Sequence, residues 1–375
     1  MRKAYIFLPL ILCLAALTAC GKTSDSGAFD LENTPSEHME LLYAEQFSVD
    51  RYENGISLVT VGDGEKYLLV PENETVETSG DITVINTPVD NIYLAASSAM
   101  DLFFGIGADD RIFAASTLER DWSLPYVKQA MSDEDILYAG KYSAPDYELI
   151  LSEGCGIAIE STMIYHKPEV KEQLERFGIP VFVERSSYES HPLGRLEWVK
   201  LYGLMTGKEE EAEKLFSEQS ELLQSVSQNG SAGKTAAFFY ISQKGSAVVR
   251  KPDDYVSKMI QLAGGEYIFT SDDLNTEENA QSTTDMQFEA FYAAAKDADV
   301  LIYSSTIDGG IDDISALLEK NSLFADFKAV KTGNVWCTDK NMFQQTTAAA
   351  EIISDLNLIF TDNAGDETEF FYRIK

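Results

Sequence analysis

The stretch KEEEAEKLFSEQSELLQSVSQ, residues 208–228, decides how the rest of the chain is read. Its apolar residues Ala212, Leu215, Phe216, Leu222, Leu223 and Val226 recur at spacings of three and four, which lays them in one stripe along an α-helix. Gly207 stands before the run and NGSAG (229–233) after it, so strong breakers bound it on both sides. At about 1.5 Å per residue, roughly twenty residues reach about 30 Å, the breadth of a small domain. A rod of that length between two similar stretches predicts a bridge between two lobes.

Both flanking stretches alternate strands with helices. Upstream, over 81–204, DITVINTP, NIYLAASS, RIFAAST, DILYAGK, GIAIEST and IPVFVERSS read as short strands, and AMDLFFGIGA and PEVKEQLERFG as helices. Downstream, over 231–375, KTAAFFYIS, DVLIYSS and GNVWCTD read as strands, with DYVSKMIQLAGG, FEAFYAAAKDA and TAAAEIISDLNLIFTD as helices. Such alternation means βαβ crossovers, so the predicted class is α/β: two α/β lobes with central, mostly parallel sheets joined by a single long helix over 205–230. Ahead of them, ISLVTVGDGEKYLLVPEN carries two β-type runs around GDGE, which predicts a small N-terminal β-hairpin extension over 41–80.

The first residues address location. MRK and an apolar run over 4–19 are too short for a comfortable span of about 20 residues and suit a signal peptide over 1–19. LTAC followed by Gly21 resembles the bacterial lipobox, which implies that Cys20 is lipid-modified, with 20–40 as a flexible lipidated tether. The implied location is extracytoplasmic, lipid-anchored to the bacterial cell membrane. A formal charge of -33 argues against nucleic acid as a partner. Cys155 and Cys337 are too few and too far apart for a disulfide framework. Three histidines, with His38 in the tether, cannot build a His-rich metal cage. No Gly-x-Ser-x-Gly elbow, HExxH or Walker loop occurs, so no enzymatic activity is expected.

Seven segments in order then carry a resemblance. They are VINTPVDNIYLAASSAMDLFFGIGADDRIFAAS, APDYELILSEGCGIAIEST, LERFGIPVFVE, GKEEEA, ISQKGSAVVRKPDDYVSKMIQLAGGEYIF, FEAFYAAAKDADVLIY and FKAVKTGNVWCTD. Over about 82–360 the chain resembles the substrate-binding lipoproteins of ABC importers, in the class whose lobes are bridged by one long helix: the ferric-siderophore, haem and vitamin-B12 binders. It departs in SEGCG, where Lys-Pro-Asp is usual, and in KDADV, which lacks the proline. The resemblance implies an ABC permease dimer with its ATPase as partner and a metal chelate as cargo. It also implies that Glu148 and Glu289, one per lobe, pair with permease arginines, which suits carboxylate–guanidinium chemistry.

The cleft should be lined by loops at the carboxyl ends of parallel strands. Ligand-binding candidates there are Arg120, Trp122, Tyr142, Met163, Tyr165, His166, Arg185 and Tyr188 in the first lobe, and Tyr240, Arg250, Tyr303 and Phe343 in the second. Ser97, Ser98, Lys141, Ser161, Thr162 and Gln344 lie in the same loops. Interleaved arginines and tyrosines suit a large anionic or chelated ligand. No intrinsic cofactor is expected; the ligand is a ferric siderophore, haem or corrinoid, with His166 or His191 near metal only for haem. Arg195, Glu197 and Trp198 read as braces of the rod. A surface hydrolase or sensor on the same two-lobed scaffold is the alternative of another class.

Overall fold

The computed structural model describes residues 34–62, 64–77, 82–271, 274, 282–307 and 309–375. The signal peptide, Cys20 and the tether up to residue 33 lie outside the described residues. Among the described residues, no helix is long and apolar enough to cross a membrane.

A five-stranded sheet comes first: β1 (Glu37–His38), β2 (Phe47–Arg51), β3 (Ser57–Val61), β4 (Glu65–Pro71) and β5 (Ile82–Thr87), in sequence order. Here the structure is larger than the predicted hairpin, and Ile82–Thr87 pairs in parallel with β4 and not within the first lobe. The reason is in β4, whose Tyr67, Leu68, Leu69 and Val70 are buried on both faces. A strand with two apolar faces and a bare edge requires a neighbour, which β5 supplies. Phe47, Val49, Val59, Tyr67 and Leu69 face the main core.

The first lobe is an all-parallel sheet of β6 (Ile92–Leu94), β7 (Ile112–Ala115), β8 (Leu137–Tyr138), β11 (Ile157–Ser161) and β12 (Val181–Glu184), in the order β12-β11-β6-β7-β8. A two-stranded ribbon of β9 (Gly140–Lys141) and β10 (Ala144–Pro145) interrupts the sequence. The helices are α1 (Ser97–Gly105), α2 (Pro125–Ser132), α3 (Tyr147–Ser152) and α4 (Pro168–Arg176). Strands run outward from β6 to β8 on one side, and β11 then starts on its other side. The switch point therefore lies between β6 and β11, and open parallel sheets bind ligands beyond the carboxyl ends there.

Periodicity predicts one long bridging helix, and Glu209–Ser227 forms it; a second helix, Pro192–Thr206, packs along it as part of the bridge. α5 (Pro192–Thr206) ends at Gly207, whose φ of 74° is the left-handed cap glycine favours, and α6 (Glu209–Ser227) follows. α5 is apolar on nearly all sides and is buried at twelve of its positions, which obscures its stripe. α6 keeps the stripe, burying Ala212, Phe216, Leu223 and Val226, and its first turn carries Glu209, Glu210 and Glu211 against the helix N-terminus. The helices approach so closely that a Cβ on Gly203 would fall 2.7 Å from that of Ala212.

The second lobe holds a mixed sheet of β13 (Thr235–Ile241), β14 (Ala247–Arg250), β15 (Glu266–Tyr267), β16 (Thr283–Met286), β17 (Val300–Tyr303), β18 (Val335–Thr338) and β19 (Phe371–Arg373). β13, β17 and β18 are parallel, whereas β14 and β19 run against them. Its helices are α7 (Tyr255–Leu262), α8 (Phe288–Ala295), α9 (Ile314–Lys320), α10 (Lys328–Thr332) and α11 (Ala349–Phe360). The bridge reaches this lobe through Gln219, whose amide donates to Glu351 (2.8 Å) and accepts from the Ala350 N–H (3.0 Å).

α5 is also strapped to the N-terminal segment. The fully buried Glu197 accepts from the backbone N–H groups of Leu42, Tyr43 and Ala44, and Glu189 accepts from those of Glu45 and Gln46. Five donors on two buried carboxylates fix the path of the chain into β2. Glu197 and Trp198 thus brace α5; neither Cys155 nor Cys337 is in a disulfide.

Candidate functional site

Between the lobes lies a cleft of about 780 Å³, within the range of about 300–1,000 Å³ usual for small-molecule sites. Its first-lobe wall is made of strand ends. Ala95, Ser97 and Ser98 follow β6; Ser116 and Thr117 follow β7; Ser161, Thr162, Met163 and His166 close β11 and its continuing turn; Ser187 and Tyr188 follow β12. Lys141 and Tyr142 enter from the ribbon. Glu184, the last residue of β12, is buried and already engaged: Ser98 Oγ donates to it at 2.5 Å and the Ser186 N–H at 2.8 Å.

The floor comes from the bridge and the second lobe. Arg195 of α5 lies over the Tyr255 ring, 4.1 Å from its centre. Arg250, ending β14, lies 5.1 Å from the Phe343 ring and 5.9 Å from that of Tyr255. Its Nη1 donates to Ser282 Oγ (3.1 Å) and sits 3.5 Å from the Asp254 carboxylate. Burial pushes the Asp254 carboxyl up, and the Arg250 charge opposes that shift. Arg250 is consequently held in one pose before any ligand arrives. Lys141, Arg195 and Arg250 are matched by a single carboxylate, Glu184, among the lining residues, so a cationic cleft sits inside an acidic protein. Low-dielectric walls focus such a field.

The cleft edge also joins the lobes. Gln344 accepts from the Ser123 N–H (2.6 Å) and donates to the Asp121 carbonyl (3.0 Å). Nearby, the buried Asp101 accepts from the Thr347 N–H (2.7 Å) and from the Tyr126 hydroxyl, and burial raises its pKa.

Of the twelve ligand-binding candidates, Tyr142, Met163, His166, Tyr188, Arg250 and Phe343 are brought together on this cleft, beside Ser97, Ser98, Lys141, Ser161, Thr162 and Gln344 of the same loops. The others are not. Trp122 is 2% exposed and packed in the core, and Tyr303 is fully buried against Phe239. Arg120 points outward beside Asp121 at 3.7 Å. Tyr240 is half-buried on β13 and is not among the lining residues. Tyr165 and Arg185 stand behind the rim, against the N-terminal sheet. His191 caps α5 by accepting from the Leu193 N–H (3.1 Å), stacks on Tyr43 with ring centres 4.3 Å apart, and is held near a pKa of about 4 by burial. It lines a separate hollow with Asp253 and Lys258, so His166 is the histidine on the cleft. Glu148 and Glu289 are both exposed in first helical turns, of α3 and α8.

Two residues missing from the sequence-derived ligand set matter most. Arg195 reads as a brace because apolar residues surround it in α5. Tyr255 opens α7 directly after the RKPDD turn that carries Arg250, and an aromatic in the first turn beyond a strand end was the available signal.

Residues 92–342 match the model of the family described as periplasmic binding protein. An uncharacterized lipoprotein of Methanocaldococcus jannaschii is 28% identical over 332 residues, covering 83% of this chain and 76% of that one. A Bacillus subtilis lipoprotein provisionally named as an ABC transporter substrate-binding protein is 25% identical, covering 54% of this chain and 61% of that one. Among solved structures, a periplasmic haem-binding protein of Vibrio cholerae superposes with a TM-score of 0.58 at 18% identity, covering 71% of this chain and 98% of that one.

Proposed function

Because the chain belongs to the periplasmic binding protein family, we propose that it is the extracytoplasmic receptor of an ABC importer, capturing an iron-siderophore or related metal chelate for its permease. The carrying observation is the floor on which Arg195 and Arg250 interleave with Tyr255 and Phe343. Guanidinium groups grip carboxylate or catecholate oxygens, and ring faces pack on the planar ligand frame. Lys141 on the opposite wall completes a clamp around an anionic cargo. The lipoprotein relatives support a lipid anchor at Cys20, and two exposed carboxylates, Glu148 and Glu289, supply one docking point per lobe.

Haem is the second reading, favoured by Met163 and His166 lining one wall of the same cleft. Thioether and imidazole are recognised axial partners of haem iron, and the arginines would face its propionates. A thermal-shift panel of a ferric siderophore, hemin and cyanocobalamin tests the proposal. A ligand at a hundredfold excess over its dissociation constant adds about 2.7 kcal/mol of stability. No response to any of them, together with turnover of a chromogenic ester, would favour a hydrolase on the same scaffold.

A further inference from the structure

The N-terminal sheet lies outside the matched family region, which starts at residue 92, yet it reaches the cleft from behind. On β4, the Tyr67 ring packs on Phe182 with centres 4.6 Å apart. Its hydroxyl accepts from the Val183 N–H (3.1 Å) of β12, the edge strand of the first-lobe sheet. The same hydroxyl donates to Glu65 at 2.9 Å. Tyr165 neighbours the same carboxylate: burial, and then the Glu65 charge, raise the Tyr165 pKa to about 12. Tyr165 stands between Met163 and His166, both of which line the cleft.

A second contact lies one turn away. Gly62 has a φ of 54°, and a Cβ there would fall 2.6 Å from Arg185 Nε, so only glycine permits this approach. The Arg185 guanidinium in turn lies 4.6 Å from the centre of the Tyr188 ring, and Tyr188 lines the cleft. Two wall segments, 161–166 and 185–188, therefore each lie against the extension.

We propose that the N-terminal sheet is a positioning wall of the binding site, with Glu65 and Gly62 fixing the segments that present Met163, His166 and Tyr188 to the cargo. Glu65 acts through Tyr165, and Gly62 through Arg185; neither touches the ligand. Loose loops pay ordering entropy when a ligand binds, and a wall held in place beforehand avoids it. The consequence for cargo binding rests on the receptor reading above, whereas the mechanical claim does not.

The test separates the two. In unliganded full-length protein, hydrogen–deuterium exchange over 161–166 should quicken in Glu65→Ala and in Tyr165→Phe, the second being a one-hydroxyl change that leaves folding intact. Exchange in α11, remote from the contact, should stay unchanged. Glu65→Gln, which keeps an acceptor oxygen, should restore most of the protection. Among hemin, cyanocobalamin and a ferric tris-catecholate, whichever saturates the wild type should bind Glu65→Ala about tenfold more weakly, chiefly through faster release, as a wall left to order on binding predicts. Unchanged exchange over 161–166 in both Glu65→Ala and Tyr165→Phe would overturn the proposal whatever the ligand. Faster exchange with unaltered affinity for the saturating probe would overturn the positioning role.

Discussion

The Arg195 guanidinium lies 4.1 Å from the centre of the Tyr255 ring, so a helix of the bridge and a helix of the second lobe meet on the floor of the cleft. Such a contact is worth about 0.5–2 kcal/mol depending on desolvation, and it aims the outer face of the cation at the ligand space. Arg250 approaches the same ring from β14 at 5.9 Å. The bridge is thus more than a spacer, because it contributes a cleft-lining group.

Arg250→Ala should weaken anionic chelates by roughly ten- to a hundredfold, the range of one lost charged hydrogen bond. Cyanocobalamin, with less anionic character, should lose less. Isothermal titration of both ligands against the variant checks this, and equal losses would point to a folding defect and not to charge recognition.

Gln344 makes two hydrogen bonds across the cleft edge, at 2.6 Å and 3.0 Å. Gln344→Ala removes both, so the lobes should sample wider separations and bound ligand should leave several-fold faster. Stopped-flow release and small-angle scattering measure the two effects. An unaltered release rate would show that the latch does not govern access.

Glu148 and Glu289 are not among the cleft-lining residues and sit exposed at helix starts. Replacing either by Arg should leave chelate affinity unchanged and abolish uptake by cells or vesicles carrying the cognate permease. Full uptake by the double variant would remove the docking role.

Glu160 gives a pH prediction. It is fully buried on β11, neither carboxyl oxygen has a hydrogen-bond partner, and burial pushes its pKa up to about 8. An acid whose pKa is higher folded than unfolded stabilises the fold at low pH, and loses that contribution as pH rises through the folded value. Between about pH 4.5 and 8 the loss accrues at about 1.4 kcal/mol per unit. Glu160→Gln should therefore gain on the wild type across this window, by a few kcal/mol in total, and hold a constant difference above it. Denaturant midpoints at several pH values provide the measurement.

Much of the architecture is legible in the sequence because it is periodic. The stripe of α6 and the glycines around it stand out, and so do strands such as VFVE and VLIY. What escapes has a physical cause. α5 is apolar all round, so no stripe marks it as a helix. β5 alternates no differently from a lobe strand, and only its pairing with β4 reveals its place. The site is legible in part. Arg250, Phe343 and Tyr188 follow strands and do face the cleft, whereas Trp122 and Tyr303 also follow or end strands and are buried. An aromatic at a strand end can cap a core or line a cavity, and sequence spacing does not separate the two. Tyr165 and Arg185 lie against the N-terminal sheet, which no local pattern announces.

The most direct measurement is an absorbance titration of the purified protein with a ferric siderophore, hemin and cyanocobalamin, run in parallel on the Arg195→Ala/Arg250→Ala double variant. Saturable single-site binding of one chelate by the wild type, lost in the double variant while its melting temperature is retained, is the predicted result. Absence of binding to all three, or binding that the double variant retains in full, would contradict the assignment of this cleft as the cargo site.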